Sequence, residues 1–359
     1  MPAPALIPLR IIRNEELVPG FHRITFAPDP ALQYAPGQFL TFVHEAGGQE
    51  LRRSYSLLTV PGIDTEPAIG VRRIDNGAFS RYLCDVAEEG TVLQCAGVGG
   101  LFRLPQAKGP QHLFFLAAGS GITPIYSLLR SALFQHPGLS VVLVYSNHAP
   151  RSTPFRAGLE QLAEAFPGRF QLHLLFGTDP DLSKARLNRD LLLALLQREA
   201  ASRETWFYTC GPESYMRMCL FVLRSEGFPA DHIRREDFLP PPANLGALKP
   251  PDTAPHEVRL YWRGEGFRFQ VAWPETILKA ALRLGLHLPY SCGAGRCGSC
   301  VASCVEGRTW LAHNEVLTDA DLARGLTLTC SAFPLGGPVI LRLDETPLGN
   351  LLKSLGEFN

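Results

Sequence analysis

Three cysteines and three glycines are concentrated in one ten-residue segment, SCGAGRCGSC at 291–300. Cys292, Cys297 and Cys300 follow the spacing C-x4-C-x2-C, and a fourth cysteine, Cys330, lies farther along the chain. This is the ligand spacing of a [2Fe-2S] cluster held by four thiolates. Cluster sulfurs need backbone N–H groups turned inward, and glycines let the backbone wrap that closely. The segment therefore predicts an iron-sulfur site with these four cysteines as its ligands.

Two other chemistries also use closely spaced thiols. A zinc site favours paired C-x2-C units, and a disulfide loop needs an oxidising compartment. The chain has nine cysteines, an odd number, and prolines break the apolar run at its N-terminus, so we expect no signal peptide. These features favour a reducing, cytoplasmic location. Cys304, shortly after the loop, is expected to be a buried core thiol on the next strand.

Composition limits the partners that the chain can attract. At 359 residues it is longer than one core usually fills, and 34 Lys and Arg balance 34 Asp and Glu. No overall charge draws nucleic acid or an anionic membrane surface.

Residues 109–129 lack charged side chains, but a Gly-Ser-Gly-Ile-Thr-Pro segment interrupts them, which favours a strand, a loop and a helix over a membrane span. We expect no nucleic acid and no membrane as partners.

The hydrophobic pattern of the sequence changes once before a proline-rich stretch. Residues 1–106 contain short apolar runs separated by Gly and Pro, which predicts an antiparallel β-barrel domain. Residues 107–238 alternate apolar strands with helical patterns, which predicts an α/β domain with a parallel sheet. The protein is therefore expected to be multidomain.

The C-terminal third follows a segment that is poor in large apolar residues. Residues 239–256 are rich in proline and predict an extended linker. Residues 257–345 combine strand patterns, one helix and the cysteine loop, which predicts a compact α+β domain, and 346–359 form a tail. The linker would let this domain reach other redox groups.

A glycine-rich loop, AAGSGITP at 117–124, follows a predicted strand and opens a predicted helix. Glycines allow close approach of a pyrophosphate, and the helix N-terminus offers N–H groups and a partial positive charge to it. This context predicts a dinucleotide site, although the loop could also be a simple turn. The expected contacts are Gly119, Ser120, Gly121, Thr123 and Pro124.

The segment after the second strand of this domain should select the coenzyme. An acidic residue there favours NADH, whereas Arg and hydroxyl groups favour the 2′-phosphate of NADPH. Ser146, Asn147, His148 and Arg151 occur there without Asp or Glu. The segment therefore favours NADPH over NADH, unless Arg151 is merely solvated.

Several motifs together resemble known redox proteins. The segment from Glu257 to Asp344 resembles a plant-type ferredoxin of β-grasp fold. The two preceding domains resemble the ferredoxin-NADP reductase family, because PGQFLTF at 36–42 precedes Arg-Ser-Tyr-Ser at 53–56 and a Cys-Gly-Pro begins at Cys210. The resemblance implies a flavin in the barrel, FAD rather than FMN, and NAD(P)H in the α/β domain.

This resemblance also implies roles for barrel residues. Tyr55 would lie against the isoalloxazine, Ser56 would bond the ring edge, and Arg53 would meet the pyrophosphate. Only one of Arg72 and Arg73 needs to face the flavin. The implied flavin contacts are Arg53, Ser54, Tyr55, Ser56, Val71, Arg72, Arg73, Gly77, Ala78, Phe79 and Ser80.

The same family resemblance places Thr123 and Cys210 near the nicotinamide, with Gly211 and Pro212 in the same cleft. Glu236 would lie near the flavin, and Phe238 would cover its ring. Without the resemblance, Cys210 is a buried thiol before a helix start and Phe238 is a core residue. The implied catalytic set is Tyr55, Ser56, Thr123, Cys210 and Glu236.

The domain order resembles the reductase components of bacterial multicomponent oxygenases, among them the phenylacetyl-CoA epoxidase reductases and, more distantly, those of vanillate and phthalate oxygenases. This implies electron transfer from NAD(P)H through flavin and a [2Fe-2S] cluster to an oxygenase partner. One alternative is a general NAD(P)H reductase of a ferredoxin, a cytochrome or quinones. Another is a non-enzymatic zinc-binding module.

Overall fold

The computed structural model describes residues 6–46, 49–105, 112–238 and 248–343. The chain divides into two compact units, one spanning Leu6–Leu239 and the other comprising the C-terminal part from Pro240. Half of the expected linker, residues 239–247, and the whole expected tail, 346–359, lie outside the described residues. No helix in the described ranges is long and apolar enough to cross a membrane.

The N-terminal part of the first unit is an antiparallel barrel. Its elements are β1 (Ile7–Val18), β2 (Phe21–Phe26), β3 (Phe39–Ala46), β4 (Gln49–Ser56), β5 (Ala68–Arg72), α1 (Ala78–Asp85) and β6 (Val92–Gly99). The six strands are ordered β4-β3-β6-β1-β2-β5. A bridge between Leu57 and Ile69, and a bond of 2.8 Å from Leu58 N–H to Ala68 O, join the two edges and close the sheet.

Inward-facing side chains fill the barrel, as alternation along a strand requires. Ile11, Ile24 and Phe42 have no exposed surface, and α1 adds Phe79 and Leu83 to the same core. The barrel is thus a packed scaffold, and ligands must bind on its outer surface.

The second part of this unit is a doubly wound sheet. Its elements are β7 (His112–Ala118), α2 (Ile122–Gln135), β8 (Ser140–Asn147), α3 (Arg156–Ala165), β9 (Phe170–Phe176), α4 (Leu182–Ala185), α5 (Arg189–Arg198), β10 (Trp206–Cys210), α6 (Glu213–Ser225) and β11 (Ile233–Glu236). All five strands are parallel, in the order β11-β10-β7-β8-β9. Apolar cores lie on both faces, with Phe115 in one and Phe114 in the other. The chain order reverses between β7 and β10, and such sheets bind ligands at the carboxyl ends of the strands that flank this point.

The C-terminal unit is a mixed α+β domain. Its elements are β12 (His256–Trp262), β13 (Glu265–Val271), α7 (Ile277–Arg283), β14 (Val301–Glu306), β15 (Thr309–Leu311), α8 (Asp319–Ala323), β16 (Leu326–Leu328), β17 (Ala332–Pro334) and β18 (Val339–Leu343). The main sheet is ordered β13-β12-β18-β14-β16, and β12 pairs with β18 in parallel. The buried face of α7 completes the core. The multidomain fold class predicted from the sequence is confirmed.

The loops after β7 and β10 approach each other with no room for a side chain. A Cβ atom at Gly121 would lie 2.0 Å from the carbonyl oxygen of Cys210 and 2.7 Å from the nitrogen of Gly211. Both contacts are with backbone, which cannot rotate away as a side chain can.

We expect Gly121→Ala to destabilise the N-terminal unit by on the order of 1–3 kcal/mol, because the added methyl must push the two loops apart. Gly138→Ala is the matched control, since a Cβ there meets nothing within 4 Å. Thermal unfolding followed by circular dichroism measures both. Equal melting temperatures for the two variants would contradict the close approach.

Candidate functional site

The Arg-Ser-Tyr-Ser motif ends strand β4, where Tyr55 is opposite Leu40 of β3. The Tyr55 ring packs on Phe79 and Phe42, with centroids 5.9 and 6.3 Å away. Burial raises the pKa of Tyr55 above its ordinary value, at which the hydroxyl is already protonated at neutral pH. The ring thus has a fixed orientation on the barrel.

Ser56 supplies the test of whether this surface suits a ligand. The residue is only 2% exposed, and its Oγ has no hydrogen-bond partner among the described residues. A buried hydroxyl left without a partner is costly. An incoming polar ring edge would satisfy it, so the motif fits the flavin that the resemblance implies. Arg53, by contrast, is exposed, and its Nη1 donates to Arg52 O at 2.8 Å.

Arg72, the last residue of β5, and Arg73, which follows it, have different environments. Arg73 donates through Nε and Nη2 to Asp85 at 2.8 and 2.9 Å, and through Nη1 to Asp75 at 3.1 Å. Arg72 is exposed, and its charge acts on the phenol of Tyr145. Arg72 is therefore the better placed of the two to meet a ligand phosphate.

At the start of α1, backbone groups rather than side chains are available to bind a ligand. Ser80 Oγ accepts from Ile74 N–H and donates to Gly77 O, both at 3.2 Å, so this hydroxyl holds the turn. Val71 and Phe79 are buried in the barrel core. First-turn N–H groups, including that of Ala78, lack helical partners and can receive an anion.

The glycine-rich loop forms a tight turn at the carboxyl end of β7. Gly119 has φ of +55° and faces open space. Tyr145 donates its hydroxyl to Gly119 O at 3.1 Å, and Thr123 Oγ1 donates to Ser120 O at 3.0 Å. These bonds shape the loop before α2 begins, and Pro124 is buried in its first turn. The predicted dinucleotide loop therefore lies at the reversal point of the sheet.

Cys210 ends β10 and has β7 on one side and β11 on the other. Its thiol is fully buried, and burial raises its pKa. Gly211 follows it, where a Cβ would lie 2.9 Å from the Cβ of Ala118, and Pro212 is the N-cap residue of α6. The structure thus brings the Cys-Gly-Pro segment and the glycine-rich loop together.

Glu236 pairs with Cys210 in the parallel ladder of β11 and β10. The residue is half-buried, but its Oε2 is shielded from solvent and has no hydrogen-bond partner among the described residues. Burial raises its pKa from 4.5 to about 8. At neutral pH the carboxyl is therefore protonated and can donate a hydrogen bond. Phe238, two residues on, is 46% exposed and so is not a core residue.

The expected coenzyme-selecting residues lie at the carboxyl end of β8. Ser146 and Asn147 end the strand half-buried, and Arg151 is exposed in the turn Pro150–Ser152. Sequence reasoning missed Arg186. Gly177 N–H donates to Asn147 O at 2.9 Å, and Arg186 Nε lies 3.8 Å from where a Cβ of Gly177 would be. Because β8 and β9 pair in parallel, the segments that follow them lie side by side, and this pairing could have indicated Arg186.

The four predicted cluster ligands come together in the C-terminal unit. Cys292, Cys297, Cys300 and Cys330 lie close enough to affect one another's ionisation. Among the described residues, no group of three or more Cys, His, Asp or Glu side chains is arranged to hold a single metal ion. A [2Fe-2S] cluster differs from such a site, because its four thiolates are shared between two irons. Cys304 lies apart on β14, half-buried rather than buried as expected, and its thiol donates to Glu306 O at 3.4 Å.

Backbone N–H groups turn toward the sulfurs, as predicted from the glycines. Gly295 N–H donates to Cys330 Sγ at 3.2 Å. The N–H groups of Ala294 and Arg296 donate to Cys292 Sγ, each at 3.4 Å. The loop glycines at 293, 295 and 298 have φ of 65°, 73° and 73°, a left-handed conformation that side chains disfavour. The donors stabilise thiolate charge, so this site fits the cluster.

Comparison with known proteins follows the same division of the chain. Residues 9–104 match the oxidoreductase FAD-binding domain, 115–220 the oxidoreductase NAD-binding domain, and 260–335 the 2Fe-2S iron-sulfur cluster binding domain. These matches confirm the predicted cofactor set of FAD, NAD(P)H and a [2Fe-2S] cluster.

Two similar curated proteins are a subunit of an epoxidase and the reductase component of a monooxygenase. The chain is 32% identical over 340 residues to a component of 1,2-phenylacetyl-CoA epoxidase from Escherichia coli, covering 89% of this chain and 93% of that protein. It is 34% identical over 327 residues to the ferredoxin reductase component of 3-ketosteroid-9-alpha-monooxygenase from Mycolicibacterium smegmatis, covering 88% of each. The solved structure of phthalate dioxygenase reductase shares the fold, with a TM-score of 0.56, 23% identity, and coverage of 94% of this chain and 98% of that one.

The buried carboxyl of Glu236 predicts a pH effect on stability. Between pH 4.5 and about 8 the folded protein retains a proton that the unfolded chain releases. Stability therefore falls as pH rises through this window, by at most about 1.4 kcal/mol per pH unit.

We expect Glu236→Gln to flatten this slope, whereas Glu160→Gln, which alters an exposed ion pair on α3, should retain it. Urea unfolding at several pH values between 5.5 and 7.5 measures the difference. Parallel profiles for the wild type and Glu236→Gln would show that the carboxyl is ionised in the folded protein.

Proposed function

Because the chain belongs to the ferredoxin-NADP reductase family, in the group of reductases that carry FAD-binding, NAD-binding and [2Fe-2S] domains, we propose that it delivers electrons from NAD(P)H to an oxygenase partner. One observation carries the proposal. A single chain joins a dinucleotide loop and a flavin surface, which suit hydride chemistry, to a four-thiol loop whose backbone donors suit a one-electron centre.

The residues of this chain orient and shield the redox groups. FAD, when bound, supplies the conversion between the two-electron chemistry of nicotinamide and the one-electron chemistry of the cluster. Tyr55 and Ser56 orient the flavin ring, and the buried Ser56 Oγ supports this role. Glu236 holds a proton at the carboxyl ends of β10 and β11. Thr123 and Cys210 line the nicotinamide side.

The acceptor is proposed from the relatives. One similar protein is a subunit of a phenylacetyl-CoA epoxidase, and another is the ferredoxin reductase component of a steroid monooxygenase, so the two act in oxygenation systems with different substrates. An oxygenase is therefore the acceptor that we propose for this chain. We assign the domains as 1–106, 107–238 and 257–345. All nine cysteines fall within the described residues and none of them is in a disulfide there, which supports the cytoplasmic location that we propose.

Anaerobic titration with NADPH tests the electron path. We expect bleaching of the flavin band at about 450 nm and then a low-temperature EPR signal of a reduced cluster. Cys292→Ser should abolish or alter the EPR signal while the flavin still bleaches, because only a cluster ligand is lost. Cys304→Ser is the matched control and should retain both signals.

Coupled turnover with a purified oxygenase tests the acceptor. Flavin and cluster reduction without any oxygenase turnover would leave the reductase chemistry intact and overturn the assigned partner. A protein that neither NADPH nor NADH reduces would overturn the proposed function as a whole.

We also propose NADPH as the preferred coenzyme. Loss of a charge-assisted phosphate contact costs about 1.5–3 kcal/mol, so Arg151→Ala should raise the KM for NADPH by roughly tenfold or more and leave that for NADH nearly unchanged. Arg198→Ala is the control, since this arginine is exposed in the last turn of α5. Steady-state kinetics with both coenzymes decide. A wild-type preference for NADH would contradict the assignment.

A further inference from the structure

Helix α2 is attached to the barrel along one face. A Cβ at Gly70 of β5 would lie 2.4 Å from the methyl group of Thr123, so the two residues are in tight contact. One turn later Ser127 Oγ accepts from Gly37 N–H at 2.9 Å. Arg130 follows, and the i, i+4, i+7 spacing places all three helix residues on the same side.

Arg130 forms a two-point ion pair with Asp64 of the barrel. Nη1 and Nη2 donate to Oδ2 and Oδ1 at 2.7 and 3.0 Å, and the two side chains are only 17% and 18% exposed. Asp64 Oδ2 also accepts from Val60 N–H at 2.7 Å. A partly buried, bidentate pair has one preferred geometry, unlike a mobile surface pair.

An aromatic series reinforces this attachment. The Arg130 guanidinium lies 5.7 Å from the centroid of the Tyr126 ring, and Tyr126 stacks on Phe155 at 4.4 Å. Phe155 meets Phe21 of the barrel edge-on at 5.7 Å. Phe155 has φ of +58°, a conformation that costs energy in a bulky residue and persists where packing determines it. The contacts from α2 to β2 therefore hold this residue in place.

We propose that Asp64 and Arg130 are positioning residues for hydride transfer. The glycine-rich loop leads directly into α2, so fixing α2 on the barrel fixes the dinucleotide loop relative to the Tyr55–Ser56 surface. In the transfer, a hydride carries both electrons, so the coenzyme is oxidised as the flavin is reduced. Such a step depends steeply on the placement of the reacting atoms. The inference rests on the proposed function.

The test is anaerobic rapid mixing of the FAD-loaded protein with saturating NADPH. Asp64→Asn and Arg130→Gln should each slow flavin reduction about tenfold while the Kd for NADP⁺ changes less than about threefold. The double variant, Asp64→Asn with Arg130→Gln, should be little slower than either single variant, because both changes remove the same ion pair. Glu160→Gln alters the exposed Arg156–Glu160 pair on α3 and serves as the matched control, with no change expected.

A second readout is the long-wavelength absorbance of reduced flavin with NADP⁺, which requires stacked rings and should weaken in both single variants. Unchanged reduction rates and absorbance, with only a lower melting temperature, would overturn the proposal and leave the pair a structural contact. If Asp64→Asn does not retain FAD, Ser127→Ala removes the neighbouring Gly37 contact and faces the same two readouts. A wild type that NAD(P)H cannot reduce would overturn the proposed function instead.

Discussion

The N-terminal unit depends on the close backbone approach between the loops that follow β7 and β10. Gly121 lies against the carbonyl group of Cys210, and this contact requires a residue without a side chain. Parallel pairing brings Ala117, Cys210 and Glu236 into one row across three strands. A dinucleotide loop, a shielded thiol and a protonated carboxyl therefore meet at one edge of the sheet, although they are far apart in the sequence.

The C-terminal unit solves a different electrostatic problem. Four thiolates concentrate negative charge, and backbone N–H groups of the loop, rather than many cationic side chains, stabilise that charge. Three left-handed glycines allow those groups to face inward. Gly295 is further confined because a Cβ there would lie 2.4 Å from His313 O, while Arg296 pairs with Glu315 at 3.0 Å. The neighbouring segment therefore holds the loop in shape from outside.

The features that depend on residues close together in the sequence could be predicted from it. The cysteine pattern, the glycine-rich loop and the alternation of strands and helices are local, and each has a physical reason that can be stated without coordinates. The sequence could not show which of Arg72 and Arg73 is available to a ligand phosphate, because this depends on the hydrogen bond from Arg73 to Asp85. It also missed Arg186 and the Asp64–Arg130 pair, since these depend on which loops cross and which helix face meets the barrel. Ser80 shows the same limit, because its hydroxyl is used within the turn.

Strand order in the C-terminal sheet bears on how the protein is made. Strand β18 lies between β12 and β14, although both precede it in the chain. Until β18 has been synthesised, the sheet remains in two separate halves, and pairing across such sequence distances is slow. All strands of the N-terminal unit leave the ribosome earlier and can pair without it. The thiol loop therefore gains its supporting sheet last, so insertion of iron and sulfide is expected to be a late event in the maturation of the protein.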